Sequence, residues 1–155
     1  EIMRLNIILS NADKIMDLKK DKQFVEERLK VNKNSKDENK LFLYFSDEHC
    51  DGLSVLGGEP LIQGMALVEL LEEVREKFPN KTIWLWTGYK LDSELDETQK
   101  MILSQCDYVV DGLFKRELSG KKLRFRGSSN QIIWRNENGN FVEATDIENN
   151  DRFNK

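Results

Sequence analysis

Three short apolar runs, each followed closely by a glycine-containing turn, constrain this chain more than any other feature. The runs are Leu53–Leu56, Thr82–Trp86 and Tyr108–Val110, and each is too short to be read as a helix. Two longer segments with helical spacing of apolar residues lie between them. Strands joined through helices need crossover connections, and such connections join parallel strands. The sequence therefore predicts an α/β fold in which residues 53–56, 82–87 and 107–111 are neighbouring parallel strands.

Both connecting segments have the pattern of an amphipathic helix, and we expect helices over about 62–78 and 92–105. Asp92 or Ser93 is a suitable N-cap for the second helix. In the first helix the apolar residues recur at intervals of three and four, as one buried face requires. These residues are Leu67, Leu70, Leu71, Val74 and Phe78.

The two ends of the chain differ from this middle region. Residues 5–9 predict a short strand and residues 13–30 a helix, whereas residues 32–40 contain no apolar side chain and are typical of a solvated loop. We expect three parts: an atypical charged N-terminal segment (1–40), an α/β domain (41–143) and a polar tail (144–155).

Two further segments of the α/β domain are predicted from local pattern. Leu41–Phe45 is apolar and indicates either a strand or the last turns of a helix. Gln131–Trp134 and Phe141-Val142 flank Asn138-Gly139, which is a strong two-residue hairpin signal. A β-hairpin is therefore expected near the C-terminal end.

Charge and residue counts exclude several classes of function. The chain has 24 basic and 28 acidic side chains and a net charge of −4, which argues against proteins that coat nucleic acids or bind membranes through basic residues. One histidine and two cysteines cannot build a His-rich zinc site, a four-cysteine metal centre or a disulfide framework. No apolar run approaches the roughly 20 residues of a membrane-spanning helix, and the N-terminus lacks the apolar stretch of a signal peptide. We expect a cytoplasmic protein with no nucleic-acid or membrane partner.

The loops that follow the three strands form the candidate site. Ligands of parallel sheets bind at the C-terminal ends of the strands, which selects Gly57–Pro60, Thr87–Lys90 and Asp111–Phe114. Glycine lets the backbone approach a ligand or adopt a positive φ, and the carboxylate of Glu59 can accept hydrogen bonds from an ammonium group or a ribose. The alternative is that these are ordinary strand-to-helix turns, in which glycine is common. The residues alone leave both interpretations open.

A polar cluster close to the hairpin is a second candidate, in which we expect Arg126, Ser128 and Asn130 to contact a substrate or partner. Arginine presents a planar set of donors that fits a carboxylate or a phosphate. The alternative is a turn that leads into the next strand.

Four sequence blocks, taken in order, resemble a known family. They are Leu53–Leu61 (LSVLGGEPL), Ile83–Tyr89 (IWLWTGY), Val110–Phe114 (VDGLF) and Phe125–Gln131 (FRGSSNQ). The series closely resembles the activating protein of the class III (anaerobic) ribonucleotide reductase, a family of radical S-adenosylmethionine (SAM) enzymes. The resemblance extends over about residues 49–134, more than half of the chain.

The resemblance implies a partial (βα) barrel with a mostly parallel sheet and an oxidoreductase that uses SAM and a [4Fe-4S] cluster. In this family an electron, from a donor such as flavodoxin, passes through the cluster and cleaves SAM to methionine and a 5′-deoxyadenosyl radical. That radical takes a hydrogen atom from a glycine of the large reductase subunit and leaves a glycyl radical.

The family pattern also implies that the GGEP loop, which is Gly57–Pro60, lies beside the amino group of SAM. Thr87-Gly88 would then lie at the rim of the same pocket. To these we add the third strand-end loop. The expected cofactor-binding residues are Gly57, Gly58, Glu59, Pro60, Thr87, Gly88, Asp111 and Gly112.

The cysteines depart from the family pattern. The family binds its cluster through a Cys-x3-Cys-x2-Cys motif that precedes the GGEP loop, whereas this sequence has only Cys50 before the loop and Cys106 after it. Three thiolates hold a cluster that keeps one iron open, so no metal ligand is assigned here. We expect a truncated or split form of such an activating protein.

Two other classes remain as alternatives. One is a cluster-less, non-enzymatic remnant that retains binding of SAM or of the partner. The other is an unrelated nucleotide-binding α/β module, which is disfavoured because the sequence contains neither a P-loop nor a Gly-x-Gly-x2-Gly fingerprint.

Overall fold

The computed structural model describes residues 6–11, 48 and 50–149. A six-stranded sheet, in which the strands are hydrogen-bonded in their order along the chain, forms its centre. The strands are β1 (Asn6–Asn11), β2 (Cys50–Leu56), β3 (Thr82–Trp86), β4 (Tyr108–Asp111), β5 (Ile132–Glu137) and β6 (Asn140–Glu143). Two helices connect the central strands, α1 (Met65–Lys77) and α2 (Glu97–Ser104). The predicted strands and helices of the middle region are confirmed.

The sheet is mixed rather than mostly parallel. β2, β3 and β4 pair in parallel, with Leu53 opposite Ile83 and Leu85 opposite Val109. β1 is antiparallel to β2, β5 is antiparallel to β4, and β6 is antiparallel to β5. The α/β class is therefore confirmed, but a partial barrel is not, because antiparallel strands occupy both edges of the parallel core among the described residues.

The two faces of the sheet bury different kinds of side chain. Aliphatic residues of β2, β3 and β4 pack with α1 and α2 in the larger core, in which Val55, Ile83 and Leu85 are fully buried. The opposite face carries aromatic rings, and Trp84 stacks on Tyr108, with 4.4 Å between ring centroids, and on Phe125, with 4.9 Å. Alternation along β3 thus sends aliphatic residues to the helices and tryptophans to the other side.

The N-cap of α2 differs from the prediction. Asp96 caps the helix rather than Asp92 or Ser93, because its carboxylate accepts from the backbone N–H of Gln99 at 2.8 Å. The Gln99 side chain in turn accepts from the backbone N–H of Asp96 at 3.0 Å. This reciprocal pair is a capping box, and it fixes the start of the helix at Glu97.

The predicted hairpin is confirmed, and its turn depends on a glycine. Asn138 and Gly139 have φ values of 55° and 92°, as a two-residue type I′ turn requires. Replacing Gly139 with alanine is expected to lower the free energy of unfolding by about 1 kcal/mol, because a side chain in this conformation is strained. Chemical denaturation would measure the loss, and Asn138→Gly is the control that should be tolerated. An unchanged midpoint for Gly139→Ala would contradict the prediction.

Several predictions fall outside the described residues or stay untested. The short strand at the N-terminus is confirmed as β1, whereas the helix over 13–30, the loop over 32–40 and the run Leu41–Phe45 lie outside the described residues. The division into three parts stays a prediction. Within the polar tail, Thr145–Asn149 forms a 3-10 helix in which Ile147 and Glu148 are buried.

None of the helices in the described part of the chain is long and apolar enough to cross a membrane.

Candidate functional site

The first two candidate loops are joined through the carboxylate of Glu59. One carboxylate oxygen accepts from the hydroxyl of Thr87 at 2.6 Å and from the backbone N–H of Leu61 at 3.0 Å. The other oxygen accepts from the backbone N–H of Gly88 at 2.8 Å. The GGEP loop after β2 and the Thr87-Gly88 loop after β3 therefore meet at one edge of the sheet.

The third loop is hydrogen-bonded to the second. The buried carboxylate of Asp111 accepts from the backbone N–H of Leu91 at 2.8 Å. The backbone N–H of Gly112 donates to the carbonyl of Tyr89 at 2.9 Å. Since the second loop contacts both of its neighbours, all three strand-end loops form one continuous rim, as their sequence positions led us to expect.

Local sequence explains the shape of the GGEP loop. Gly57 and Gly58 have φ values of 80° and 45°, a region that favours glycine. Glu59 is the N-cap of a short 3-10 helix that begins at Pro60, where the fixed φ of proline suits the first helical position. The loop thus reverses the chain from β2 towards α1 and exposes the backbone of Gly58.

Gly88 lies in a close contact that leaves little room for a side chain. A Cβ atom there would be 3.2 Å from the side chain of Leu113 and 3.4 Å from a carboxylate oxygen of Glu59. The Thr87-Gly88 loop is therefore packed between the GGEP loop and the segment that follows Gly112.

Glu59 has a structural task that the sequence did not reveal. A carboxylate can accept about four hydrogen bonds, and three donors already contact this one. One acceptor position of this carboxylate has no donor among the described residues. Of the other predicted residues, Gly58 is exposed, whereas Thr87 and Asp111 are buried and bonded to backbone or loop partners.

The structure gives Arg126 a partner within the chain. Its guanidinium donates to the carboxylate of Glu148 at 3.1 and 3.0 Å, and to the carbonyls of Ser129 and Gln131 at 2.9 and 2.8 Å. Within the described residues, the carboxylate that this arginine contacts is that of Glu148, and contact of Arg126 with a substrate or partner stays a prediction. The interpretation as a turn into β5 fits these contacts better than an open ligand site.

Ser128 and Asn130 also contact other parts of the chain. The hydroxyl of Ser128, which is fully buried, accepts from the backbone N–H of Lys115 at 3.1 Å. The amide nitrogen of Asn130 donates to the carbonyl of Leu113 at 2.9 Å, and its buried amide oxygen has no partner among the described residues. Ligand contact by these two residues stays a prediction.

Gln131, which the sequence did not single out, links this cluster to the candidate site. Its side-chain oxygen accepts from the backbone N–H groups of Gly127 and Ser128 at 2.9 and 3.1 Å. Its side-chain nitrogen donates to the carbonyl of Gly112 at 2.8 Å. The buried side-chain amide of Gln131 thereby fixes the 127–131 turn against the third loop. No local sequence pattern predicts a contact of this kind.

The described residues do not fit an iron–sulfur cluster. Cys50 begins β2 and Cys106 follows α2, and both are buried, with exposed fractions of 6% and 1%. The Cys106 thiol donates to the carbonyl of Ile102 at 3.4 Å, and burial raises the pKa of this thiol. No group of three or more His, Cys, Asp or Glu side chains within the described part of the chain could hold a metal ion.

Curated proteins match the part of the chain that contains these loops. The protein from Vibrio cholerae is 44% identical over 86 residues, which are 54% of this chain and 55% of its own length. The one from Haemophilus influenzae has the same identity and coverage. The one from Enterobacteria phage T4 is 39% identical over 98 residues, 62% of this chain and 60% of its own length. Each is named an anaerobic ribonucleoside-triphosphate reductase-activating protein.

The chain spans little more than half the length of the curated relatives it matches. No solved structure matches it significantly. A family model described as a 4Fe-4S single cluster domain matches residues 12–134. Because this match covers most of the sequence and includes all three candidate loops, the chain belongs to the family of 4Fe-4S single cluster domains.

Proposed function

We propose that this chain carries the SAM-binding loops of an anaerobic ribonucleoside-triphosphate reductase-activating protein. The similarity to relatives of that name supports the assignment. The observation that carries it is the contact of Glu59 with Thr87 and Gly88, since it joins two loops of the resemblance into one rim.

The rim offers suitable groups for the amino acid part of SAM. The remaining acceptor position of Glu59 suits the ammonium group, and a charge-assisted hydrogen bond of this kind is about twice as strong as a neutral one. The exposed backbone of Gly58 allows close approach because it carries no side chain. When bound to a cluster and reduced, SAM supplies a carbon-centred radical, and the protein binds it, orients it and excludes water.

The partners and compartment follow from the same proposal. The large subunit of the anaerobic reductase would be the protein on which the glycyl radical forms, and a donor such as flavodoxin would supply the electron. In this proposal the reductase subunit, the electron donor and this chain are all cytoplasmic.

Loss of SAM affinity in loop variants is the first test. Gly58→Val is expected to abolish binding, because a branched side chain would occupy the path of the ligand. Glu59→Gln is expected to weaken it roughly tenfold to a hundredfold, the equivalent of about 1.5–3 kcal/mol for a hydrogen bond to a charged group. Titration calorimetry with SAM would measure both effects.

Two controls separate ligand contact from loop disruption. Glu69→Gln changes an exposed glutamate of α1 and should leave SAM affinity unchanged. A SAM analogue without the amino group should bind wild type and Glu59→Gln almost equally, because the proposed contact is then missing. Equal affinity for SAM in wild type, Gly58→Val and Glu59→Gln would refute the assignment of the loop.

Iron content is the second test. With two buried cysteines, this polypeptide alone is expected to bind much less than one [4Fe-4S] cluster after anaerobic reconstitution, since a site with one open iron needs three thiolates. Iron and sulfide analysis with electron paramagnetic resonance would measure it. Cluster ligands from outside these 155 residues would then be required for activity. A stoichiometric cluster on the chain alone would contradict the prediction.

A further inference from the structure

The segment between β4 and β5 has a charge opposite to that of the whole chain. Residues 115–126 contain six of the 24 basic residues and one of the 28 acidic residues, in a chain with a net charge of −4. Arg126 is paired with Glu148, but the other five cations are exposed. We name these five the basic surface: Lys115, Arg116, Lys121, Lys122 and Arg124.

The charges of the basic surface are not neutralised within the described part of the chain. None of its five side chains takes part in an ion pair with a described residue. Lys121, Lys122 and Arg124 line an open cleft of about 450 Å³ together with Glu148 and Asn149. The carboxylate of Glu148 is already paired with Arg126 at 3.0 Å, so the cleft presents a net positive charge.

Exposed apolar side chains adjoin these cations. Leu113 and Phe114 are 69% and 59% exposed, the largest exposed fractions among the large hydrophobic residues of the described part, and Leu118 is 39% exposed. Leu113 also lies close to the Thr87-Gly88 loop, because a Cβ atom placed at Gly88 would be 3.2 Å from its side chain. The apolar side chains thus connect the basic surface to the rim of the candidate site.

Resting on the proposed function, we infer that the basic surface and Leu113 dock an acidic surface of the large reductase subunit. Complementary charge steers two proteins together and fixes their orientation, while a protein interface typically combines an apolar core with a polar rim. A nucleic acid fits less well, because it would leave Leu113 and Phe114 without apolar contacts and would face a chain of net negative charge. Docking here would hold the partner beside the three loops.

The test compares two variants that remove the same charge. Lys121→Gln/Lys122→Gln/Arg124→Gln removes three of the five cations of the basic surface, whereas Lys77→Gln/Lys100→Gln/Arg135→Gln removes three exposed cations elsewhere. Binding to the purified reductase subunit from the same genome is measured by surface plasmon resonance, without SAM or iron. We expect the first variant to weaken binding by on the order of tenfold at low salt, mainly through slower association, and the second to bind like wild type. The difference should shrink at about 0.5 M salt.

A second pair of variants tests the apolar part. Leu113→Ser should weaken binding at both salt concentrations, whereas Val142→Ser, an exposed apolar residue of β6, should not.

The outcomes separate this inference from the proposed function. If both charge variants bound the reductase subunit as tightly as wild type does, the docking surface would be wrong and the proposed function would stand. If wild type bound the reductase subunit at none of the salt concentrations tested, both the docking surface and the proposed function would be wrong. Tighter binding of a 20-base-pair DNA duplex than of the reductase, lost in the basic-surface variant, would assign the surface to nucleic acid and overturn the inference.

Discussion

Replacing Arg126 with alanine is expected to lower the free energy of unfolding by about 3–5 kcal/mol, the range for breaking a buried ion pair from one side. The exposed fractions of the Arg126 and Glu148 side chains are only 14% and 8%. Alanine would leave the glutamate buried without its cation and remove donors from the carbonyls of Ser129 and Gln131. Urea denaturation of the purified chain would measure the loss.

A matched surface pair provides the control for Arg126. Arg135 and Glu137 form an ion pair with exposed fractions of 48% and 49%, and Arg135→Ala should leave the midpoint unchanged because water screens such a pair. If Arg126→Ala unfolded at the same urea concentration as Arg135→Ala, the structural role assigned to Arg126 would be wrong.

Replacing Gly52 with alanine is expected to cost about 3 kcal/mol, near the upper end of the usual range for overpacking. Gly52 lies in β2 opposite Thr82 of β3. A Cβ at this position would lie 2.0 Å from the carbonyl oxygen of Thr82, so the two strands would have to separate. Since this is a backbone contact, rotation of a side chain cannot relieve it.

Gly120 provides the control for Gly52. A Cβ there would come no nearer to a neighbouring side chain than 4.0 Å, from Leu123, and Gly120→Ala should have little effect on stability. Thermal unfolding followed by circular dichroism would compare the two variants. Equal midpoints would mean that β2 and β3 can accommodate the methyl group, contrary to the expectation.

The sequence predicted those elements whose signal is local. The spacing of Leu67, Leu71 and Val74 fixes the buried face of α1, and Asn138-Gly139 fixes the hairpin turn. The parallel order of β2, β3 and β4 followed from the lengths of the segments between them. The convergence of the three loops was then a consequence of topology, and it did not depend on any individual side chain.

Contacts between distant residues were not predictable in the same way. Glu148 lies in a segment that looks like a solvated tail, yet it is buried because Arg126, 22 residues earlier, neutralises it. Glu59 looks like a ligand-binding carboxylate, yet it accepts from Thr87, 28 residues later. The antiparallel edge formed by β5 also required knowledge of which strand pairs with β4. In each case a polar or backbone group is satisfied by a partner that local pattern cannot identify.

The ring stack on the far face of the sheet gives the protein an optical reporter of its own. Trp84 lies 5.6 Å from Trp86 between ring centroids, and the indole N–H of Trp86 donates to the carbonyl of Phe125 at 2.6 Å. Because transitions of indoles this close couple to one another, we expect the near-ultraviolet circular dichroism to contain a signal that depends on their mutual orientation. The same indoles contact Phe125, which immediately follows the basic surface. A spectroscopist can therefore follow displacement of this segment, when a partner binds or denaturant is added, without attaching a label.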